Sequence, residues 1–244
     1  MIALIGKAMK SVSFVRDFTR TRRLMAGRQP RFSMLWSDRY PCLNDKTKTT
    51  GFDRHYIYHP AWAARILART RPQSHVDISS TLHFCTLVSA FIPVRFLDYR
   101  PAELRLDGLQ SEAADLLRLP FADGGIDSLS CMHVVEHVGL GRYGDPIDPD
   151  GDLKAIAELT RVLAPGGDLL FVVPVGKSAR IMFNAHRIYT YDQIVKYFGT
   201  LELKEFALIP DDPAQGGLFR DAPRQLADAQ DYGCGCFWFR KGAL

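Results

Sequence analysis

The sequence predicts an α/β protein with an open, doubly wound and mostly parallel sheet that ends in a C-terminal antiparallel hairpin. Short apolar runs alternate with helical segments after residue 74, which is typical of consecutive β-α-β units. The run DLLFVVPV (168–175) is nearly all apolar, as expected of a parallel strand covered on both faces. The last two strand-like runs, 201–209 and 235–241, follow one another, and this order predicts the closing hairpin.

Each predicted element has a local signal. Pro60 lies near the predicted start of the helix AWAARILA, and Ser80 or Thr81 can cap the helix 81–91. The helix 152–163 carries one apolar face and is followed by the stop signal APGG (164–167). The remaining predicted helix is 189–198, and the predicted strands are 75–79, 94–100, a short one near 104–109, 126–135, 168–175, 201–209 and 235–241.

We predict three parts: a basic amphipathic arm (1–35), a linker with a leading helix (36–73), and a domain (74–244) with an insertion at 210–233. The arm holds eight basic residues and one acid, whereas the remainder holds 23 basic and 26 acidic residues. Apolar residues recur in the arm at helical spacing, namely Ile5, Met9, Val12, Val15 and Phe18. We favour a helix with a solvated basic face, and the alternative is peripheral contact with a membrane or a protein. The acidic remainder disfavours nucleic acid as a partner.

The composition indicates the cellular compartment in which the protein is expected. The chain has 244 residues, of which 47% are hydrophobic and 24% charged, ordinary values for a globular protein. No apolar run approaches the roughly 20 residues that span a bilayer, and the start MIALIG is too short for a signal-peptide core. The five cysteines are sparse and odd in number. The sequence therefore predicts a reduced, cytoplasmic protein, with attachment at the inner face of the membrane left open by the arm.

Two segments of the sequence resemble a known class of enzymes. LLRLPFADGGIDSLSCMHVVEHV (116–138) is followed by a helix and then by LAPGGDLLFVVPV (163–175). This composite is similar to class I S-adenosyl-L-methionine-dependent methyltransferases of the ubiquinone-biosynthesis type, and the likeness extends from about 74 to 209. The run GLGRYGDPIDPDGD (139–152) resembles the domain of unknown function 268 family. The resemblance implies a Rossmann-like fold and S-adenosyl-L-methionine as cofactor.

The resemblance also implies cofactor-binding residues at the carboxyl ends of the strands. Asp98 matches the acid that binds the ribose hydroxyls of the cofactor, and Asp115 matches the residue near its adenine amino group. Leu116 matches the neighbouring residue, which supplies a backbone amide and an apolar contact. The plain alternative is that the two acids cap a turn and a helix. Asp77 and Ser79 fall in the first loop, where the family pattern D-x-G-x-G-x-G is replaced by DISSTLH (77–83). This glycine-free loop predicts a modified cofactor site, a site for another ligand, or none.

Three histidines are the candidate catalytic residues. His133 and His137 follow the fourth strand, and either could position or deprotonate the acceptor. His186 follows the fifth strand and is a candidate general base or a structural histidine. His133–His137 also spells H-x-x-E-H, but that zinc-protease signature needs a helix and here follows a strand. Structural hydrogen bonds from Glu136 and His137 are the alternative.

We expect no metal. The acidic loop 144–152 lacks the spacing of an EF-hand and favours a cluster of turns, although it remains an active-site candidate. Cys234 and Cys236 form one C-x-C pair without a partner pair, and structural cysteines are the favoured interpretation.

The leading functional hypothesis is an S-adenosyl-L-methionine-dependent methyltransferase that methylates oxygen. The resemblance implies a role in surface-polysaccharide synthesis, with a sugar or another small hydroxyl compound as acceptor. The second hypothesis is a non-catalytic module that docks on a membrane-associated assembly through its basic arm, which the glycine-free first loop favours.

Overall fold

The computed structural model describes residues 2–27, 29 and 31–243. Contacts divide the chain into two compact units, Met1–Phe52 and Asp53–Leu244. In the first unit, helix α1 (Ile2–Met25) is followed by a short 3₁₀ turn, Trp36–Asp38. The Trp36 ring packs edge-on against Phe18, with ring centres 4.9 Å apart, and Lys46 forms an ion pair with Asp17 at 2.6 Å. These contacts fold the segment after α1 back along that helix.

The second unit contains a seven-stranded sheet that is parallel except for one strand. Its order is β3-β2-β1-β4-β5-β9-β8, and β9 runs antiparallel to both of its neighbours. Two short strands, β6 and β7, form a separate antiparallel pair. The strands are β1 His75–Ile78, β2 Val94–Asp98, β3 Leu109–Ala113, β4 Ile126–Met132, β5 Leu163–Val175, β6 Arg180–Met182, β7 His186–Ile188, β8 Leu201–Ile209 and β9 Gly233–Lys241.

Helices cover both faces of the sheet. The helices of the second unit are α2 Arg54–Thr70, α3 Leu82–Val88, α4 Gly151–Val162, α5 Tyr191–Tyr197 and α6 Arg224–Asp228. On one face, Trp62 of α2 and Phe84 of α3 join a buried cluster with Val172 of β5. On the other face, Leu159 of α4 and Ile194 of α5 pack in a second cluster with other residues of the sheet. The predicted doubly wound α/β fold with a closing antiparallel hairpin is therefore confirmed.

The sheet order places a topological switch between β1 and β4. The chain runs outward from β1 to β2 and β3, and then returns to the other side of β1 with β4 and β5. The loops after β1 and β4 consequently diverge at the carboxyl edge of the sheet. Open α/β sheets bind their ligands in the crevice formed there.

The structure corrects several predicted element bounds. The third strand is β3, at Leu109–Ala113 instead of near 104–109, because Gly108 adopts φ +74° and the amide of Leu109 donates to the Leu106 carbonyl in a tight turn. The fourth strand ends at Met132 instead of 135, since His133 adopts a left-handed φ of +58°. A 3₁₀ turn, Val135–His137, follows it.

Helix α2 and strand β5 both begin earlier than predicted. Asp53 caps α2 by accepting from the amide of Tyr56 at 3.2 Å, so the helix starts at Arg54 and contains Pro60. Strand β5 starts at Leu163 because the segment around Gly166 forms an irregularity against β4 instead of a loop outside the sheet. Helix α3 ends at Val88, which shortens the predicted 81–91. Among the described residues, no helix is long and apolar enough to cross a membrane.

Candidate active site

A cleft of about 370 Å³ opens at the carboxyl edge of the sheet. Its volume falls within the range of roughly 300–1,000 Å³ that is usual for small-molecule sites. One wall follows β1, β2 and β3, and the other consists of the turn after β4 and the loop 139–148. The residues that line the cleft include Ser79, Asp98, Asp115, Leu116, His133, His137, Tyr143, Asp145 and Asp148.

The first loop, directly after β1, is held from beneath by a buried carboxylate. Asp77 is fully buried, and it accepts hydrogen bonds from the amide of Ser80 at 3.0 Å and from the hydroxyl of Ser130. Burial raises the pKa of Asp77, whereas these hydrogen bonds act to lower it. The Ser80 hydroxyl in turn accepts from the amide of Met132 at 3.1 Å. Asp77 therefore shapes the loop from within the sheet, while Ser79 lines the cleft.

Two residues of the site have left-handed backbones. Ser79 adopts φ +52° after β1, and His133 adopts φ +58° after β4. Such angles are uncommon for residues other than glycine and cost of order 1–3 kcal/mol, and they cluster at functional sites. The Ser79 conformation is supported by its amide and hydroxyl, which donate to the Leu97 carbonyl at 2.8 and 3.2 Å. The glycine-free first loop thus still makes the turn that glycine usually supplies.

Two carboxylates that follow β2 and β3 line the cleft. Asp98 is the last residue of β2, and its Oδ1 accepts from the amide of Arg100 at 2.7 Å. Asp115 follows β3, and its Oδ1 accepts from the amide of Leu117 at 2.9 Å. A carboxylate offers about four lone-pair sites, so each group can accept further hydrogen bonds from a ligand. Leu116 lies beside them with its side chain largely buried.

The loop 139–148, which overlaps the acidic loop 144–152, is organised by Asp145 and by one arginine. Asp145 accepts from the amides of Gly139 at 2.7 Å and Tyr143 at 3.2 Å. Buried Arg187 donates to the Val138 carbonyl at 2.6 Å and to the Pro149 carbonyl at 3.1 Å. These contacts account for Asp145 as a turn-forming residue, and they fix the loop as a wall of the cleft.

The turn after β4 holds a carboxylate between two imidazoles. Glu136 is 1% exposed, and its Oε1 lies 2.8 Å from His133 Nδ1 and 3.8 Å from His137 Nε2. His137 Nδ1 lies 2.6 Å from the Ala185 carbonyl, which can only accept a hydrogen bond. Arg142 Nη1, which can only donate, lies 3.3 Å from the same nitrogen, but the closer carbonyl favours the neutral tautomer with its proton on Nδ1 and a lone pair on Nε2. Glu136 Oε2 has no hydrogen-bond partner among the described residues.

Helix α2 brings more rings to this turn. His55 and Tyr56 stack on the His133 ring at 5.3 Å each, and His59 packs edge-on at 5.1 Å. Tyr232, just before β9, also stacks on His55, with ring centres 5.2 Å apart. Burial lowers the pKa of His55 to about 4, and the pKa of His59 falls well below its ordinary value for the same reason. Both imidazoles are therefore neutral near pH 7.

His186 belongs to this cluster but does not line the cleft. It begins β7, and its ring lies 6.3 Å from that of His137 and 5.1 Å from that of Tyr232. Burial lowers its pKa, and its Nε2 is buried without a hydrogen-bond partner among the residues described. The three histidines predicted as catalytic are thus brought together, and their catalytic role stays a prediction.

Cys234 reaches the same place from β9. Its Sγ lies 3.4 Å from His133 Nε2 and 3.9 Å from Cys236 Sγ. Burial raises the pKa of the Cys234 thiol well above its ordinary value. The two cysteines share one face of the strand, as their spacing indicates.

Sequence reasoning did not identify His55, His59 and Cys234 as site residues. Residues 36–58 lack a clear apolar period and were predicted to form a linker. His55 was therefore assigned to the linker instead of to a helix. A signal was nevertheless present, because His55 and His59 are spaced i, i+4 and share one face of a helix. Cys234 is 101 residues from its neighbour His133, and no local pattern could connect them.

Comparison with solved structures identifies the fold. N-methyltransferase NodS from Bradyrhizobium japonicum WM9, in complex with S-adenosyl-L-homocysteine, matches at TM-score 0.52 and 15% identity over 75% of this chain and 85% of that chain. The 1,6-didemethyltoxoflavin-N1-methyltransferase from Burkholderia thailandensis, also with S-adenosylhomocysteine, matches at TM-score 0.50 and 12% identity over 98% and 90%. The [4+2]-cyclase SpnF matches at TM-score 0.50 and 15% identity over 76% and 81%. The fold is that of class I methyltransferases.

A family comparison adds a local likeness. The model of the family described as "Caenorhabditis protein of unknown function, DUF268" matches residues 122–203, from the approach to β4 through the start of β8. This match confirms the resemblance predicted from the sequence over that segment. No curated protein sequence matches the chain significantly.

Proposed function

We propose that this protein is an S-adenosyl-L-methionine-dependent methyltransferase and that the cleft at the carboxyl edge of the sheet holds the cofactor. The observation that carries the proposal is the meeting of Ser79, Asp98 and Asp115 in one cleft of about 370 Å³. Asp98 ends β2, and Ser79 and Asp115 follow the adjacent strands β1 and β3 in a class I methyltransferase fold.

The residues present fit a nucleoside cofactor. Asp98 has acceptor capacity for ribose hydroxyls, and Asp115 has the same capacity for an adenine amino group. Leu116 offers an apolar surface for the adenine ring. Ser79 lines the cleft and makes the left-handed turn after β1, and its small side chain supports close approach of a ligand despite the missing glycine. When bound, S-adenosyl-L-methionine supplies a methyl group on a positively charged sulfur.

We further propose that His137 accepts the proton lost by a hydroxyl acceptor. Its Nδ1 is held by the Ala185 carbonyl, so the lone pair of Nε2 is available to the acceptor. The Glu136 carboxylate, 3.8 Å from Nε2, stabilises the imidazolium that forms. Because methyl transfer depends mainly on near-attack geometry, the rings around the site contribute chiefly by positioning the acceptor.

The acceptor is proposed to be a sugar or another small hydroxyl compound, in keeping with a role in surface-polysaccharide synthesis. Tyr56 and Tyr232 frame the histidine cluster with aromatic faces and hydroxyl groups. Such side chains combine apolar contact area with a hydrogen-bonding end, which suits the mixed surface of a sugar ring.

A methyl-transfer assay tests the proposal. The full chain is incubated with methyl-labelled cofactor and a panel of monosaccharides and nucleotide sugars, and label in base-stable products is counted. We expect transfer to at least one hydroxyl acceptor, with a rate that falls by about 10²–10⁴-fold in His137→Gln. A well-folded protein that binds the cofactor but transfers label only to amines or thiols would overturn the hydroxyl assignment.

A further inference from the structure

We propose that His55, His133 and Cys234 form a binding site for a Zn²⁺ ion beside the cleft. One potential ligand atom from each of the three side chains lies within 4.8 Å of the other two. The residues come from three separate elements: the start of α2, the end of β4 and the start of β9. The fold itself therefore brings the ligand set together.

The spacing suits a tetrahedral zinc site. Zinc binds imidazole nitrogen at about 2.0–2.1 Å and thiolate sulfur at about 2.3 Å, which places the two ligand atoms about 3.5 Å apart. The distance from His133 Nε2 to Cys234 Sγ is 3.4 Å. A ligand nitrogen of His55 lies within 4.8 Å of both other ligand atoms, and a side-chain movement brings it to the same ion.

The hydrogen bond from His133 to Glu136 leaves Nε2 as the nitrogen that can bind the ion. Its Nδ1 lies 2.8 Å from Glu136 Oε1, and a carboxylate oxygen accepts the Nδ1 proton. The lone pair of the neutral ring is then on Nε2, which faces Cys234. A carboxylate that orients a histidine in this way is the usual outer partner of protein zinc ligands.

The local charge also favours a cation. Glu136 is 1% exposed, and its ion-pair partners in the described part of the chain are His133 and His137 alone. Its Oε2 is buried and has no hydrogen-bond partner there. A buried carboxylate is costly unless positive charge compensates it. A divalent ion held by two histidines and one cysteine supplies that charge.

The ligand chemistry selects zinc over the hard cations. Thiolate and imidazole are ligands for zinc and related transition metals, whereas magnesium and calcium take oxygen. Cys236 lies deeper in the sheet, because it pairs with Val172 while Cys234 pairs with Pro174 at the carboxyl edge. Three protein ligands leave a fourth position for water or a ligand, as in catalytic zinc sites. Metal binding here does not depend on the proposed methyl transfer.

Metal binding to the full chain tests the inference directly. The protein is stripped with a chelator and titrated with Zn²⁺, and then with Co²⁺, whose thiolate charge-transfer absorption reports a bound cysteine. We expect one ion per chain and the cobalt–thiolate band in the wild type. Cys234→Ser should remove the band, and His55→Gln should weaken Zn²⁺ binding by at least about tenfold.

Matched variants separate this site from nonspecific binding. Cys236→Ser changes the neighbouring thiol, and His83→Gln changes an exposed histidine of α3. Both should bind one ion with the wild-type cobalt spectrum. Absence of stoichiometric binding in the wild type would overturn the proposal, as would a band lost in Cys236→Ser but kept in Cys234→Ser. The wild-type titration decides the matter even if a variant fails to fold.

Discussion

Ser79 reconciles a glycine-free sequence with a class I methyltransferase fold. Its side chain is small enough to line the cleft, and its backbone adopts φ +52°. The Leu97 carbonyl accepts from both its amide and its hydroxyl, which offsets part of the cost of that conformation. The absence of glycine between Gly51 and Gly108 therefore does not prevent the turn.

Two substitutions at Ser79 isolate the backbone requirement. Both Ser79→Gly and Ser79→Val remove the hydroxyl hydrogen bond, but only valine is β-branched and strongly disfavoured at positive φ. We expect the free energy of unfolding of Ser79→Val to be lower than that of Ser79→Gly by at least about 1–2 kcal/mol. Urea denaturation of the two variants measures the difference, and equal stabilities would show that the left-handed turn is not present.

The sequence predicted the position, though not the tested role, of residues at or just after the end of a recognisable strand. Asp98, Asp115, Leu116 and His133 lie around the cleft because strand ends can be read from apolar runs and converge at one edge. The sequence could not place Cys234 beside His133, because the two residues are 101 positions apart and no local pattern connects them. His55 was missed because its helix begins with polar and aromatic residues before the apolar period starts.

Helix α2 is fastened to the sheet by one buried carboxylate. Glu205 of β8 accepts from Trp62 Nε1 at 2.9 Å and from Arg69 Nη2 at 3.3 Å. Arg220, from the 210–233 insertion, adds its guanidinium to the same carboxylate. Burial alone would raise the pKa of Glu205, but the bonds from Arg220 and Trp62 outweigh it and the pKa is lowered. The Glu205 carboxylate thus connects helix α2, strand β8 and the 210–233 insertion.

Removing this anchor should be costly, whereas removing a surface ion pair on the same strand should not. We expect Glu205→Ala to lower the free energy of unfolding by about 2–4 kcal/mol, because Trp62 and two arginines lose their acceptor. Glu202→Ala removes an exposed pair with Lys204 and should cost less than about 1 kcal/mol. Chemical denaturation compares the two, and similar losses would contradict the anchoring role.

Element bounds were harder to predict than element types. The third strand lies later than predicted because the chain turns at Gly108 and pairs with β2 only from Leu109 onward. Helix α2 starts before Pro60 because a cap at Asp53 overrides the usual preference for proline in the first turn. The order of strands and helices was nevertheless predictable, since it depends on apolar periodicity over many residues.

At the scale of the whole molecule, the sheet buries an imidazole far from the cleft. His75 begins β1 and is fully buried, with Nδ1 and Nε2 each 2.8 Å from a serine hydroxyl of β4. Burial lowers the pKa of His75 to about 3. The folded protein therefore keeps this ring neutral at pH values where the unfolded chain binds a proton.

Stability should consequently fall as the pH drops below about 6.5. The unfolded state binds more protons there, so His75 contributes a loss of up to about 1.4 kcal/mol per pH unit between pH 6.5 and 3. We expect the free energy of unfolding of His75→Gln to decrease less between pH 7 and 5 than that of the wild type. Urea denaturation at each pH measures this, with exposed His83→Gln as the control, and identical slopes in all three proteins would refute the assignment.

The central claim is that the cleft binds S-adenosyl-L-methionine, and calorimetric titration tests it most directly. We expect the wild type to bind the cofactor or S-adenosylhomocysteine with micromolar affinity, about −8 kcal/mol. Asp98→Ala should weaken binding by about 10–100-fold, because a charged hydrogen-bond acceptor is lost. Asp127→Ala, which removes an exposed carboxylate near the opposite end of β4, should bind as the wild type does. No detectable binding to the folded wild type would contradict the account.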